Sequence, residues 1–333
     1  MSSAPTADEI ARDATWLGQA LDPTEGLVRL VAMDRDSYRL ESFLDDRLLQ
    51  TPTDAQIVAW PLIEDAMNDD LRSDARWIFH IGHVGSTLAS RLLGEIDNVL
   101  SIREPRLLRD LALTPADIRR RYIEPVPKLM SRTFSEAEIA CVKGTSFTSE
   151  IADALVPPGE RALFMYATPR NYVASILAGE NSLKELHLLS GSRSQRLNSR
   201  GVYLPAQNDA EHAAAAWACE MTALERAAER MADRMIEWAD FDAMLGDMES
   251  ALRNIAEFLG FETASVGEIA AGPLMTRYSK ALEYDYSANL RRELIGEASE
   301  RFSADIDGAL AMLQSAAEKS PLLARALTRA QEG

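Results

Sequence analysis

Apolar residues come in short unbroken runs from about residue 76 onward, and stretches of helical spacing separate them. The runs at 77–81, 98–102, 139–142, 162–167 and 234–239 read as strands. Short apolar strands alternating with helices predict a mostly parallel central sheet covered on both faces, a three-layer α/β/α fold. The helix signals agree with this. Thr168-Pro169 reads as an N-cap followed by proline at the first helical position. Asp240 can cap the helix start after the fifth strand. From Asp247 a helix runs through Leu252, Ile255, Ala256 and Leu259 and stops at Gly260. Residues 209–232 predict one long Ala/Glu-rich helix, and 288–330 predict one or two helices as a C-terminal addition.

The ends of this pattern differ from its middle. Residues 1–75 read as an N-terminal helical cap or subdomain, broken by Pro23, Pro52 and Pro61, which leaves 76–333 as the α/β domain. Residues 181–207 fit neither period. They carry Lys184, Arg193, Arg196 and Arg200 among Ser, Asn and Gly, and read as a lid loop or as a solvated surface loop.

Composition narrows the class. At 47% hydrophobic and 26% charged, the chain is that of a soluble globular protein, and its apolar runs are too short to span a bilayer. The start, Met1 to Ile10, lacks the basic and apolar segments of a signal peptide. Cys141 and Cys219 form no metal or disulfide pattern, so a reducing cytoplasm is expected. A net charge of −17 argues against nucleic acid and anionic membrane as partners. His187 and His212 stand isolated, and no ligand spacing predicts a metal site.

The candidate chemistry begins at Trp77-Ile-Phe-His-Ile-Gly-His-Val-Gly-Ser-Thr87. A strand, a loop with Gly82 and Gly85, and a helix opening at Ser86-Thr87 would aim backbone N–H groups and a helix dipole at one spot, which suits a phosphate or sulfate. The ATPase and GTPase loop needs glycines five apart and a lysine before Ser/Thr. Here the glycines are three apart, and Gly85 stands in the lysine's place. A strand–turn–helix whose glycines serve only the turn is the plainer alternative.

Together with segments further along the chain, the loop resembles that of the P-loop sulfotransferase family, whose members use 3′-phosphoadenosine 5′-phosphosulfate (PAPS) as sulfuryl donor. The resemblance spans about residues 76–290. Ile81 to Thr87 is similar to the family's 5′-phosphosulfate loop, Ser101-Ile-Arg-Glu-Pro105 to a segment of bacterial members, and Val142-Lys-Gly-Thr145 to a strand-end Lys-Thr pair. Tyr166 to Ser175 looks like the 3′-phosphate segment. Glu237 to Leu245, ahead of Ala256-Glu-Phe-Leu-Gly260, matches a strand–helix pattern near the family's C-terminal end. Three positions depart from the pattern. His83 takes the place of a Lys or Arg, Ala167 falls where the family has an arginine, and Thr145 or Ser146 lies where a catalytic histidine is usual.

The resemblance implies a PAPS-dependent, metal-independent transfer to a hydroxyl of a small acceptor, and the residues themselves offer candidates for its parts. Gly82, His83, Val84, Gly85, Ser86, Thr87 and Leu88 would hold the 5′ end of the donor. Lys143, at the carboxyl edge of a strand, is the first cation for that end, with a solvated lysine as the alternative. His83 would donate to the leaving oxygen or cap a carbonyl. Glu104 is the candidate general base, although Arg103 and Arg106 also offer it a structural ion pair. Arg170 and Ser175 are candidates for the 3′-phosphate, and Arg277 and Lys280 for closing over the nucleotide. A non-catalytic nucleotide- or anion-binding protein and a kinase-like phosphotransferase remain as the other readings.

Overall fold

The computed structural model describes residues 4–50, 53–276 and 288–332. In chain order its strands are β1 (Trp16–Asp22), β2 (Leu27–Ala32), β3 (Ala55–Ala59), β4 (Arg76–His80), β5 (Val99–Arg103), β6 (Ile139–Lys143), β7 (Arg161–Tyr166) and β8 (Met235–Asp240). The last five form one sheet in the order β5-β6-β4-β7-β8, with every neighbouring pair parallel. These are the five runs picked out by hydrophobicity. Trp77, Ile78, Phe79 and Ala162 through Tyr166 are buried because helices cover both faces, and so the strands carry almost no polar alternation. β8 lies at the edge, and its first four residues alternate between exposed and half-buried.

The helix Asp209–Arg230 is the hub of one face, packing against Pro169–Leu177, Glu180–Ser199, Ser303–Ala317 and Pro321–Glu332. Trp217, fully buried on it, donates its indole N–H to the Ala167 carbonyl at 2.9 Å, which ties the helix to the end of β7. The expected caps are present: Thr168 accepts from Asn171, Asp240 from Asp242 and Asp247 from Ser250, and Gly260 ends its helix in the left-handed conformation. No helix among the described residues is long and apolar enough to cross a membrane.

Three sequence expectations need correction. Residues 1–75 are not a helical cap: their largest element is the antiparallel sheet β1-β2-β3, accompanied by short helices. β1 hides its pattern because Gly18 and Gln19 sit mid-strand beside an irregularity in its pairing with β2. A side chain at Gly18 would come within 2.8 Å of Leu129, so the glycine permits close packing. The segment 181–207 is mostly the helix Glu180–Ser199, not a loop. Residues 288–332 form three helices, Ala288–Arg301, Ser303–Ala317 and Pro321–Glu332, where one or two were expected.

The helix Glu180–Ser199 is held by charge. Arg196 donates to both oxygens of Glu220 at 2.9 Å and to Glu150 at 2.6 Å, and Arg200 also pairs with Glu150. Glu220 is completely buried on the central helix. Burial alone would raise its pKa, but Arg196, Arg193 and Arg200 overcome that and hold the carboxyl below its ordinary value. A depressed folded-state pKa adds stability that is present above the unfolded value and lost as pH falls through the folded one. Replacing Glu220 by Gln removes the carboxylate that faces buried Arg193, while Arg196 and Arg200 keep Glu150, and should cost up to about 3–5 kcal/mol at neutral pH. Urea unfolding should also show a shallower loss of stability on acidification in Glu220→Gln than in the wild type. Equal acid slopes would rule out this cluster as a source of acid sensitivity.

Candidate active site

The five parallel strands end along one edge at His80, Arg103, Lys143, Tyr166 and Asp240. β4, first of the five in the chain, lies in the centre, so the connection after β4 leads to one side of the sheet while β7 and β8 lie on the other. Reversal of strand order opens a crevice at such an edge. A cavity of about 550 Å³ occupies it here, lined by the loop after β4, the ends of β5 and β6, and helical residues from Ser175 to Leu189.

Backbone geometry makes the loop a cradle. Gly82, His83 and Gly85 have φ of 81°, 56° and 60°, all left-handed. His83 is the one of the three with a side chain, and histidine is among the residues that tolerate this region. His80 fixes the start of the loop: the Gly82 N–H donates to its Nδ1 at 3.0 Å, which leaves the ring proton on Nε2, 2.9 Å from the Gly144 carbonyl. The helix Ser86–Leu93 begins directly after Gly85, and no side chain among the described residues caps it. Its unbonded first-turn N–H groups are therefore available to an anion. Gly85 through Leu88 line the cavity, as do Gly82, His83 and Val84. A Cβ on Gly85 would lie 1.9 Å from Cζ of Phe241, so no lysine can stand there.

Next to the loop, Glu104 also adopts a left-handed φ of 55°, and its N–H donates to the Lys143 carbonyl at 2.7 Å. Its carboxylate lines the cavity and is paired with the Lys143 ammonium, with Arg47 at 3.7 Å and His80 at 3.9 Å. Lys143 has no solvent exposure and does not line the cavity, but its ammonium meets two groups that do, the Glu104 carboxylate and, at 5.9 Å, the Phe43 ring. The neighbours that offered Glu104 a structural pairing are committed elsewhere. Arg103 is buried and donates to the carbonyls of Tyr38 and Glu41, while Arg106 pairs with Asp46 and Asp110.

On the β7–β8 side, Ser175 lines the cavity, and its hydroxyl donates to the Tyr172 carbonyl at 2.8 Å. Arg170 is not brought to the site: it lies outside the cavity, in an exposed ion pair with Asp307. Arg277 and Lys280 lie outside the described residues. His83 faces Glu185 at 3.9 Å and packs edge-on against Tyr172.

Sequence reasoning missed His80, Arg47, Arg109 and Arg291, all of which line the cavity. Arg291 is 8% exposed; it donates to Asp242 at 3.0 Å, approaches the His83 carbonyl at 3.4 Å and lies over the Phe241 ring. It thus joins the C-terminal helix to the loop. His80 alone had a local signal, as a polar residue closing an apolar strand.

No family model matches the chain, and no curated protein does. Among solved structures the chain is similar to the sulfotransferase domain from the curacin biosynthetic pathway, with 11% identity and a TM-score of 0.42 over 69% of this chain and 97% of that one.

Proposed function

We propose that the protein is a sulfotransferase that moves a sulfuryl group from PAPS to a hydroxyl of a small acceptor. The observation that carries this reading is one cavity holding both an uncapped left-handed anion loop and, beside it, a carboxylate backed by a buried lysine. PAPS, when bound, supplies the sulfuryl group and a phosphate leaving group. The residues fit its 5′ end: the N–H groups of Gly85 to Leu88 and the hydroxyls of Ser86 and Thr87 can accept a dianion, with Arg291 adding a cation nearby. Ser175 lies on the side where the rest of a nucleotide would run.

In this reading Glu104 takes the proton of the acceptor hydroxyl. Lys143 orients that carboxylate from behind, which makes it a positioning residue rather than a direct phosphate ligand. His83, at the loop's apex, can donate from its ring to the departing oxygen. A kinase-like transfer is disfavoured by Phe241, which fills the space a loop lysine would need.

Calorimetry with 3′-phosphoadenosine 5′-phosphate (PAP), ADP and ATP tests the donor assignment. The 3′-phosphorylated nucleotide is expected to bind about tenfold or more tightly than either of the others, the scale of one charge-assisted hydrogen bond. Preference for ATP would favour phosphoryl transfer, and binding of none would leave a protein without the chemistry.

A further inference from the structure

A second, smaller cavity of about 190 Å³ opens beside Glu104 and shares Asp45, Arg47, Glu104, Arg109 and Thr145 with the main one. Its charges are nearly all matched. Arg47 holds Asp45 through hydrogen bonds of 2.7 and 2.6 Å, Arg106 holds Asp46 and Asp110, and Glu104 has Lys143. Arg109 is the exception. It makes no ion pair or hydrogen bond among the described residues, and its charge reaches Asp45, already held by Arg47, only as a lesser influence. Yet it lines both cavities. In a chain of net charge −17, this exposed guanidinium, at a cavity shared with the candidate base, is open to an anion. Phe43 lines the main cavity as an apolar side chain, under the Arg47 guanidinium at 3.4 Å and with the Lys143 ammonium 5.9 Å from its ring centroid.

We propose that the acceptor is a hydroxy acid: its hydroxyl at Glu104, its anionic group on Arg109, and its apolar body against Phe43. The inference rests on the reading of Glu104 as the acceptor-side base. It adds the substrate's charge, which that reading leaves open. Topology supports the placement, since Arg109 comes from the helix after β5 whereas Ser175 and Arg291 flank the opposite end of the crevice. Arginine suits the role because its fork matches a carboxylate in two parallel hydrogen bonds.

The test uses the full chain and a graded series of aliphatic and phenolic hydroxy acids, each beside its methyl ester. Binding is read by calorimetry without donor, and transfer by PAP release. At least one acid should bind about tenfold or more tightly than its ester. Arg109→Gln should erase that preference and Arg109→Lys should keep part of it. Equal binding of acids and esters throughout, or a preference that survives Arg109→Gln, overturns the proposal. PAP affinity measured on the same preparations judges the donor reading separately, because acid-against-ester binding needs no nucleotide.

Discussion

Replacing Glu104 by Gln should reduce sulfuryl transfer by about 10²–10⁴-fold, the usual worth of a general base, while leaving PAP affinity intact. The same change removes the carboxylate paired with a fully buried ammonium, because Lys143 has no exposure. Breaking such a pair costs about 3–5 kcal/mol, so the variant should also unfold at distinctly lower urea concentration. Loss of activity and loss of stability can be separated with the double variant Glu104→Gln/Lys143→Met. It removes the stranded charge and puts an apolar side chain of similar length in its place. Stability should return toward the wild-type value and turnover should not. Turnover that survives in Glu104→Gln would remove Glu104 from the mechanism. Turnover restored in the double variant would mean that the single change acted only through folding.

The second large effect is expected at Gly85. Alanine there meets two penalties of different origin. The left-handed φ of 60° costs a residue with a Cβ about 1–2 kcal/mol, and overlap with the Phe241 ring adds about 1–3 kcal/mol. The loop must shift to relieve them, and its N–H groups then lose their common focus. Gly85→Ala should therefore lower stability and weaken PAP binding together. Adding Phe241→Leu frees space without altering φ, so it should recover part of the stability. Complete recovery would mean that backbone conformation contributes nothing. No recovery would mean that the ring is not the obstacle.

Where the candidate site lies could be read from sequence because several of its parts stand at strand ends. The loop, Glu104 and Lys143 each end an apolar run, and runs sealed on both faces are the easiest pattern to recognise. What escaped reading depends on tertiary contact. Arg47, Arg109 and Arg291 come from short helices, from a helix after β5 and from the far C-terminal region, and nothing in their local sequence sets them apart from solvated arginines. The helix Glu180–Ser199 was illegible for a related reason. Its buried face is Leu186, Arg193 and Leu197, and the arginine's partner, Glu220, lies on another helix. In the N-terminal sheet, Gln19 is fully buried and accepts from Arg29 at 3.0 Å, while Ile57 on edge strand β3 is 67% exposed. Both invert the usual rule of apolar inside and polar outside.

Arg103 shows how the two sheets are tied into one molecule. Burial pushes its guanidinium down to about 10, and its donors are spent on the carbonyls of Tyr38 and Glu41, while its own carbonyl accepts from the Leu44 N–H at 2.8 Å. That knot anchors the stretch that delivers Phe43, Asp45 and Arg47 to the crevice. The crevice is thereby divided into halves of separate descent along the chain. The half proposed for the donor is made by β4, β7, β8 and the helices around them. The half proposed for the acceptor is completed by a segment pinned from outside the parallel sheet. Substitutions at Asp45 to Arg47, between the buried Leu44 and Leu48, should therefore redraw the range of accepted molecules while the anion loop keeps its shape.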